Sequence, residues 1–221
     1  GMESAVPKFD DAGTFVGSSF VDATARDFAR FGDTFQGAGW TKSEEHADRR
    51  YAVMLDLMTA HERPYTLLDF GCGAARLLDY ALRTGRADGL DYTGLDLSPG
   101  VIEHCRRKYP DRPFYNLDVL VDAGDLPVFD AIAMNGVFTF KGDLPQQQMF
   151  DYLCELLQVL RPHARYGIAF NVASTHVEWT RDDLFHLPIG QVTDFVASTL
   201  SRSFTVRQDY GLYEYTVYVY L

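Results

Sequence analysis

Two rhythms of apolar residues alternate along the chain. Short apolar runs, Leu67-Leu68, Tyr92 to Leu95, Phe114-Tyr115 and Phe129 to Met134, each give way within a few residues to a polar group: Asp69, Asp96, Asp118 and Asn135 respectively. Runs of this length bounded by turn residues predict strands. A helix from about Ala74 to Thr84 follows the first run. Ser98-Pro99 opens another, which closes on Arg106-Arg107-Lys108; a serine cap, a proline in the first turn and cations in the last turn are helix signals. From Gln146 to Leu160, residues Met149, Phe150, Leu153, Leu156, Leu157 and Leu160 recur at helical spacing, and Pro162 stops the helix. Beyond it the pattern predicts a strand over about Tyr166 to Val172, a helix over Gln191 to Leu200, and strands over Phe204 to Tyr210 and Tyr213 to Tyr220. Gly211-Leu212 reads as the hairpin turn between the last two. In the final strand Tyr213, Tyr215, Val217 and Val219 alternate with Glu214, Thr216, Tyr218 and Tyr220, so its two faces are unlike. The whole predicts an α/β fold, a mostly parallel sheet of seven strands with helices on both faces.

Ligands of open α/β sheets collect at the carboxyl ends of the strands, so the polar residues that end these runs carry the functional question. The most informative is Leu67-Leu-Asp69-Phe-Gly71-Cys72-Gly73-Ala-Ala75-Arg76, an apolar run that ends in an acid and turns through two glycines. Glycine permits the tight turn and a close approach of backbone to ligand, and the helix that follows offers unpaired N–H groups and a partial positive charge. A dinucleotide fingerprint would read G-x-G-x-x-G, but Arg76 stands where the third glycine belongs. Asp69 beside a pyrophosphate would also place two anions in one pocket. A ligand that carries a cation suits the acid, while the helix end takes a carboxylate.

In these residues the chain resembles the class I S-adenosylmethionine (SAM)-dependent methyltransferases. Their first motif, hydrophobic-Asp-x-G-x-G-x-G, is matched at Asp69, Gly71 and Gly73, with Ala75 for the last glycine and Cys72 as a small filler in the turn. The resemblance implies that Asp96 accepts both ribose hydroxyls and Leu97 packs on the adenine. It implies that Leu117 and Asp118 border the adenine, with Asp118 taking its amino group. It places Asn135, Gly136 and Val137, with Phe138, beneath the cofactor near the transferred methyl. SAM is then the cofactor, S-adenosylhomocysteine (SAH) the product, and the last strand inserts antiparallel beside the fifth. A segment ahead of the first motif, Gly39-Trp40-Thr-Lys-Ser43-Glu44-Glu45-His46 to Tyr51, resembles one found in a subset of small methyltransferases. By that resemblance Arg50 pairs with the methionine carboxylate, and Trp40 or Ser43 lines the pocket mouth; an alternative is that Arg49 and Arg50 only form ion pairs on a solvated helix.

Composition narrows the acceptor. With 31 acidic against 20 basic residues the formal net charge is −11, and no long basic run is present. Nucleic-acid binders need cationic surface, so a small-molecule acceptor is expected. Methyl transfer asks the enzyme mainly to align donor and acceptor and to exclude water. Where a general base is needed, His176 and His186, in the segment between the fifth strand and the next helix, are the candidates. Trp179, Phe185, Asp182 and Asp183 share that segment.

The remaining expectations are broad. The 221 residues suit one structural unit, read as a helical cap or lid over 1–62 followed by a SAM-binding domain over 63–221. Phe15, Phe20, Phe28, Phe31 and Phe35 give the first segment its aromatic character. Three scattered cysteines, Cys72, Cys105 and Cys154, indicate neither a disulfide framework nor a metal cluster. No apolar stretch reaches the roughly 20 residues needed to span a bilayer, and a start without basic and apolar signal regions makes the cytoplasm the expected location. Two other classes stay open at this stage: a non-catalytic SAM-binding regulatory module and a nucleotide-dependent oxidoreductase. Oligomeric state is not legible.

Overall fold

The computed structural model describes residues 44–221 together with the backbone of two short antiparallel strands, β1 (Lys8–Phe9) and β2 (Phe15–Val16). The expectations for Trp40, Ser43 and the aromatic residues between 20 and 35 lie outside the described residues. From Glu44 the order is α1 (Glu44–Leu55), β3 (Tyr65–Phe70), α2 (Arg76–Thr84), β4 (Leu90–Asp96), α3 (Pro99–Lys108), β5 (Phe114–Asn116), β6 (Phe129–Met134), α4 (Gln146–Leu160), β7 (Ala164–Ala173), α5 (Ile189–Phe195), β8 (Phe204–Arg207) and β9 (Glu214–Tyr220). Seven strands form one sheet in the order β5-β4-β3-β6-β7-β9-β8, parallel except for β9, which runs antiparallel between β7 and β8.

Strict alternation explains why the sheet is covered twice. Along β6, Ile132 and Met134 enter one core and Ala131 and Ala133 the other; along β7, Ile168 and Phe170 are opposed to Ala169; along β9, Val217 and Val219 are opposed to Tyr218. The larger residues meet Met149, Leu153, Leu156, Leu157 and Leu160 of α4 together with Val192 of α5. The alanines leave room on the other face for α1, α2 and α3, through Tyr51, Met54, Leu77, Leu78, Val101 and Ile102. Helix α1 is therefore built into the core, and its buried Ala47, Val53, Met54 and Leu55 are hydrophobic anchors on the same face of the sheet as α2.

Two ends differ from the sequence pattern. Strand β8 stops at Arg207, because Arg207 turns to ion-pair with Asp56 at 2.8 Å and with Asp209 at 2.7 Å, so the connection to β9 is a six-residue loop and not a tight hairpin at Gly211-Leu212. The helix expected through Leu200 leaves α-geometry after Phe195 and ends in a π-turn over Val196–Leu200, closed by Ser201 N–H donating to Val196 O at 2.9 Å.

Candidate functional site

The site lies where β3, β4, β5, β6 and β7 end and β9 begins, with the switch in strand direction of growth at β3 and β6. At the end of β3 the backbone makes three left-handed residues at alternate positions, Gly71 (φ +73°), Gly73 (φ +52°) and Ala75 (φ +61°), before α2 starts at Arg76. Such a run turns successive N–H groups to one side and forms an anion-holding concavity. Gly71 and Cys72 N–H donate to Leu95 O at 2.8 and 2.9 Å, which pins the turn to β4. A Cβ on Gly71 would sit 3.1 Å from Val137 Cγ2, whereas one on Gly73 would meet nothing within 4 Å. The turn is thus closed beneath Gly71 and open above Gly73. Ala75 provides α2 with no side-chain cap, so the helix N-terminus faces that space.

Acids ring the turn. The buried Asp69 accepts from the Tyr92 hydroxyl at 2.5 Å. Burial pushes its carboxyl up to about 7; the Tyr92 hydrogen bond opposes that rise and the neighbouring Asp96 adds to it. Asp96, also buried, accepts from Gly73 N–H and from Ser98 N–H, each at 3.0 Å, and so ties the glycine turn to the start of α3. Its carboxyl is raised by burial, against hydrogen bonds from Ser98, Gly73 and Leu97. Two bonds leave each carboxylate oxygen further capacity to accept, which is what two ribose hydroxyls require. Leu97 is half-buried, with its carbonyl held by the Asn116 amide at 2.9 Å. Asp118 follows β5, half-buried like Leu117; its Oδ1 accepts from Leu120 N–H at 3.0 Å and caps the turn that follows. Cys72 is buried, its thiol pushed well up by burial and by Cys105, whose Sγ donates to Gly73 O at 3.0 Å. Both sulfurs fill space under the turn.

On the other side of the switch point a polar network is buried. Asn135 and Gly136 (φ +75°) follow β6, and Val137 Cγ2 is the atom that faces Gly71. Asn171 of β7 accepts from Gly136 N–H at 2.7 Å and donates to Asn135 Oδ1 and Glu214 Oε2, both at 2.8 Å. Arg50 of α1 is buried and ion-pairs through Nε with Glu214 Oε1; Tyr210 donates to Glu214 Oε2 at 3.0 Å. Arg50 therefore stands at the site edge with a carboxylate against it, and Arg49 pairs separately with Glu45 on the exposed side of α1. Glu214, Asn171, Tyr210 and Tyr92 were not singled out by sequence reasoning. The available signal was Asn171 itself, a polar residue inside the otherwise apolar Ile168 to Val172.

The two candidate histidines fall in different surroundings. Both ring nitrogens of His186 are engaged within the β7–α5 connection: Nδ1–H donates to Ser174 O at 2.6 Å and Nε2 accepts from Arg181 N–H at 3.1 Å. That geometry gives His186 the work of a clamp. His176 is exposed, with its main chain held by Ser174 Oγ at 3.0 Å and Gln208 Nε2 at 3.2 Å. Nearby, the half-exposed rings of Trp179 and Tyr213 lie 5.4 Å apart. Among the described residues no cluster of His, Cys, Asp or Glu is placed to hold a metal ion, and no helix is long and apolar enough to cross a membrane.

Comparison with known proteins agrees with this geometry. Residues 68–166, from the end of β3 into β7, match the family described as "Methyltransferase domain". A protein of Mycobacterium tuberculosis named "Putative methyltransferase Rv1506c" is 28% identical over 158 residues, covering 71% of this chain and 93% of that one. Among solved structures, magnesium protoporphyrin IX methyltransferase from Synechocystis, with bound SAM, superposes with a TM-score of 0.62 at 13% identity, over 92% of this chain and 93% of that one. A TehB-like SAM-dependent methyltransferase from Corynebacterium glutamicum gives 0.56 at 16% identity, over 90% and 100%. The plantazolicin methyltransferase BpumL in complex with SAH gives 0.61 at 13%, over 89% and 94%. At these identities the superpositions establish the fold; the segment similar to the methyltransferase-domain family holds the glycine turn and the acid-bearing ends of β3, β4 and β5. Over residues 68–166 the chain is similar to the methyltransferase-domain family, and its seven-stranded sheet has the fold of the SAM-bound methyltransferases compared.

Proposed function

We propose that the protein transfers the methyl group of SAM to a small-molecule acceptor and releases SAH. The observation that carries this reading is the union of acid and turn at Asp96, whose carboxylate holds Gly73 N–H and Ser98 N–H while the space above Gly73 stays open. That is a seat for a group with vicinal hydroxyls beside a helix N-terminus. When bound, SAM supplies an electrophilic methyl on a positively charged sulfur. In the proposed arrangement the ribose lies on Asp96 and the adenine between Leu97 and the Leu117–Asp118 corner. Asp69 and the turn at Gly71, Cys72 and Gly73 flank the methionine end, whose ammonium the Asp69 carboxyl attracts. Asn135, Gly136 and Val137 stand on the methyl side. Arg50, held by Glu214, borders the mouth.

A net charge of −11 without a long basic run supports a small acceptor over a nucleic acid. So does the fold shared with enzymes whose names give small substrates, magnesium protoporphyrin IX and N-acetylserotonin. His176 is the proposed base where the acceptor must lose a proton, since both ring nitrogens of His186 are occupied. Free cysteines and the absence of any spanning helix among the described residues support a cytoplasmic location. Calorimetric titration with SAM, SAH and NADH, followed by an SAH-release assay over a metabolite panel, tests the reading. Binding of SAM and SAH with turnover of at least one metabolite is expected; NADH binding without SAM binding would refute it.

A further inference from the structure

A line of hydrogen bonds leads from α1 to the loop after β6, and each has only one permissible direction. The main-chain N–H of Gly136 can only donate, so the Asn171 atom 2.7 Å from it is Oδ1. Glu214, ion-paired with Arg50, can only accept, so the Asn171 atom 2.8 Å from it is the amide nitrogen. The two constraints agree, and the Asn171 amide has a single orientation. Its other amide hydrogen goes to Asn135 at 2.8 Å, where only an oxygen can receive it. Asn135 thus engages its Oδ1 with Asn171 and directs its NH2, two donors and no acceptor, elsewhere. It is half-buried and is the first residue after β6, beside the glycine turn that Val137 touches.

We infer that Asn135 is a donor-only recognition group on the methyl side of the pocket, with Arg50, Glu214 and Asn171 acting as positioning residues that set its direction. This rests on the SAM reading above and narrows the acceptor class. Two N–H dipoles favour an acceptor molecule that presents a lone-pair atom beside the reacting centre, an oxygen anion, a carbonyl or a ring nitrogen, and they disfavour an ammonium.

The test needs no knowledge of the acceptor. Sinefungin carries an ammonium where SAM has its sulfonium methyl, whereas SAH carries nothing there, so the ratio of their affinities reads the polarity of that position. Asn135→Asp exchanges the donor for a carboxylate of the same size. It is expected to strengthen sinefungin relative to SAH by about tenfold, the worth of one charge-assisted hydrogen bond. The charge-conserving double variant N171D/E214Q reverses the relay: Gly136 N–H, the Gln amide introduced at 214 and the Asn135 amide all donate to the new carboxylate. Asn135 then presents Oδ1 to the pocket, and the ratio should rise by about threefold. Asn171→Ser releases Asn135 while keeping an acceptor for Gly136, and moves the ratio in the same direction should the double variant not fold. An Asn135→Asp variant that changes both affinities equally, or neither, overturns the assignment. A ratio raised by Asn135→Asp but unmoved when residue 171 is changed overturns the relay. Wild-type protein that binds neither ligand would refute the SAM reading instead.

Discussion

Asp69 shows how a residue that opposes folding could, on the proposed reading, serve binding. Its folded carboxyl titrates at about 7 against an ordinary 3.8, mainly through burial. Between those values the native state holds a proton that the unfolded chain releases, so stability is greatest below pH 4 as far as this group is concerned and falls as pH rises toward 7. Without ligand, Asp69→Asn should remove that slope and leave the variant more stable than wild type at pH 8 by on the order of 3 kcal/mol. Urea denaturation at pH 5 and pH 8 checks it; parallel curves for the two proteins would contradict the argument. With SAM the sign reverses, because the ligand's ammonium favours the ionised carboxyl. Wild-type affinity should therefore strengthen from pH 6 to 8 and that of Asp69→Asn should not. Gly71 makes a sterically sharper case: its φ of +73° and a Val137 methyl 3.1 Å from any Cβ predict that Gly71→Ala loses about 1–2 kcal/mol of stability together with SAM affinity. At this scale Asp69 and Asp96 stood out in the sequence because each ends an apolar run, and Gly71 and Gly73 because they form the turn that follows Asp69. Glu214 did not. It begins a strand instead of ending one, and its partner Arg50 is 164 residues away in sequence, a pairing that only the antiparallel insertion of β9 creates.

At the scale of elements, α2 and α3 begin on the same side of the sheet with opposite solutions to the same problem. Helix α3 is closed: Ser98 is fully buried, its Oγ accepts from Val101 N–H at 3.4 Å, and Pro99 occupies the first turn. Helix α2 is open, with a left-handed Ala75 at its cap and no side-chain acceptor. The open end is the one at the glycine turn, where a ligand carboxylate can take the place of a cap. Ser98→Ala should then cost about 1 kcal/mol in thermal or chemical unfolding. SAM affinity should fall little, since the main-chain N–H of Ser98 that holds Asp96 is unchanged; a large loss of affinity at unchanged stability would show that the hydroxyl itself meets the ligand. Helix α4 was readable to the residue because six apolar positions and a proline define it. The end of β8 and the π-turn after Phe195 were not, since the first is set by the Arg207–Asp56 ion pair between distant segments and the second by a single main-chain bond to Ser201.

For the whole molecule, the excess of acids bears on the catalytic cycle of the proposed reaction. SAM carries one more positive charge than SAH, and that charge is lost in the transfer. On the proposed reading, a protein of net charge −11, with Asp69, Asp96 and Asp118 at one edge of its sheet, attracts the donor more than the product by a field acting through solvent. On the proposed reading, product would be released from a site whose electrostatic attraction drops at the moment of reaction. The part of that field reaching the pocket through solvent is screened by salt, with a Debye length that shrinks from about 30 Å at 0.01 M to about 3 Å at 1 M. Raising salt across this range should weaken SAM binding by about threefold more than SAH binding, a difference that calorimetry with the two ligands resolves. Equal salt dependence would mean that discrimination between donor and product is made wholly by groups in contact with the sulfur, with the acid-lined edge serving the ribose and the adenine alone.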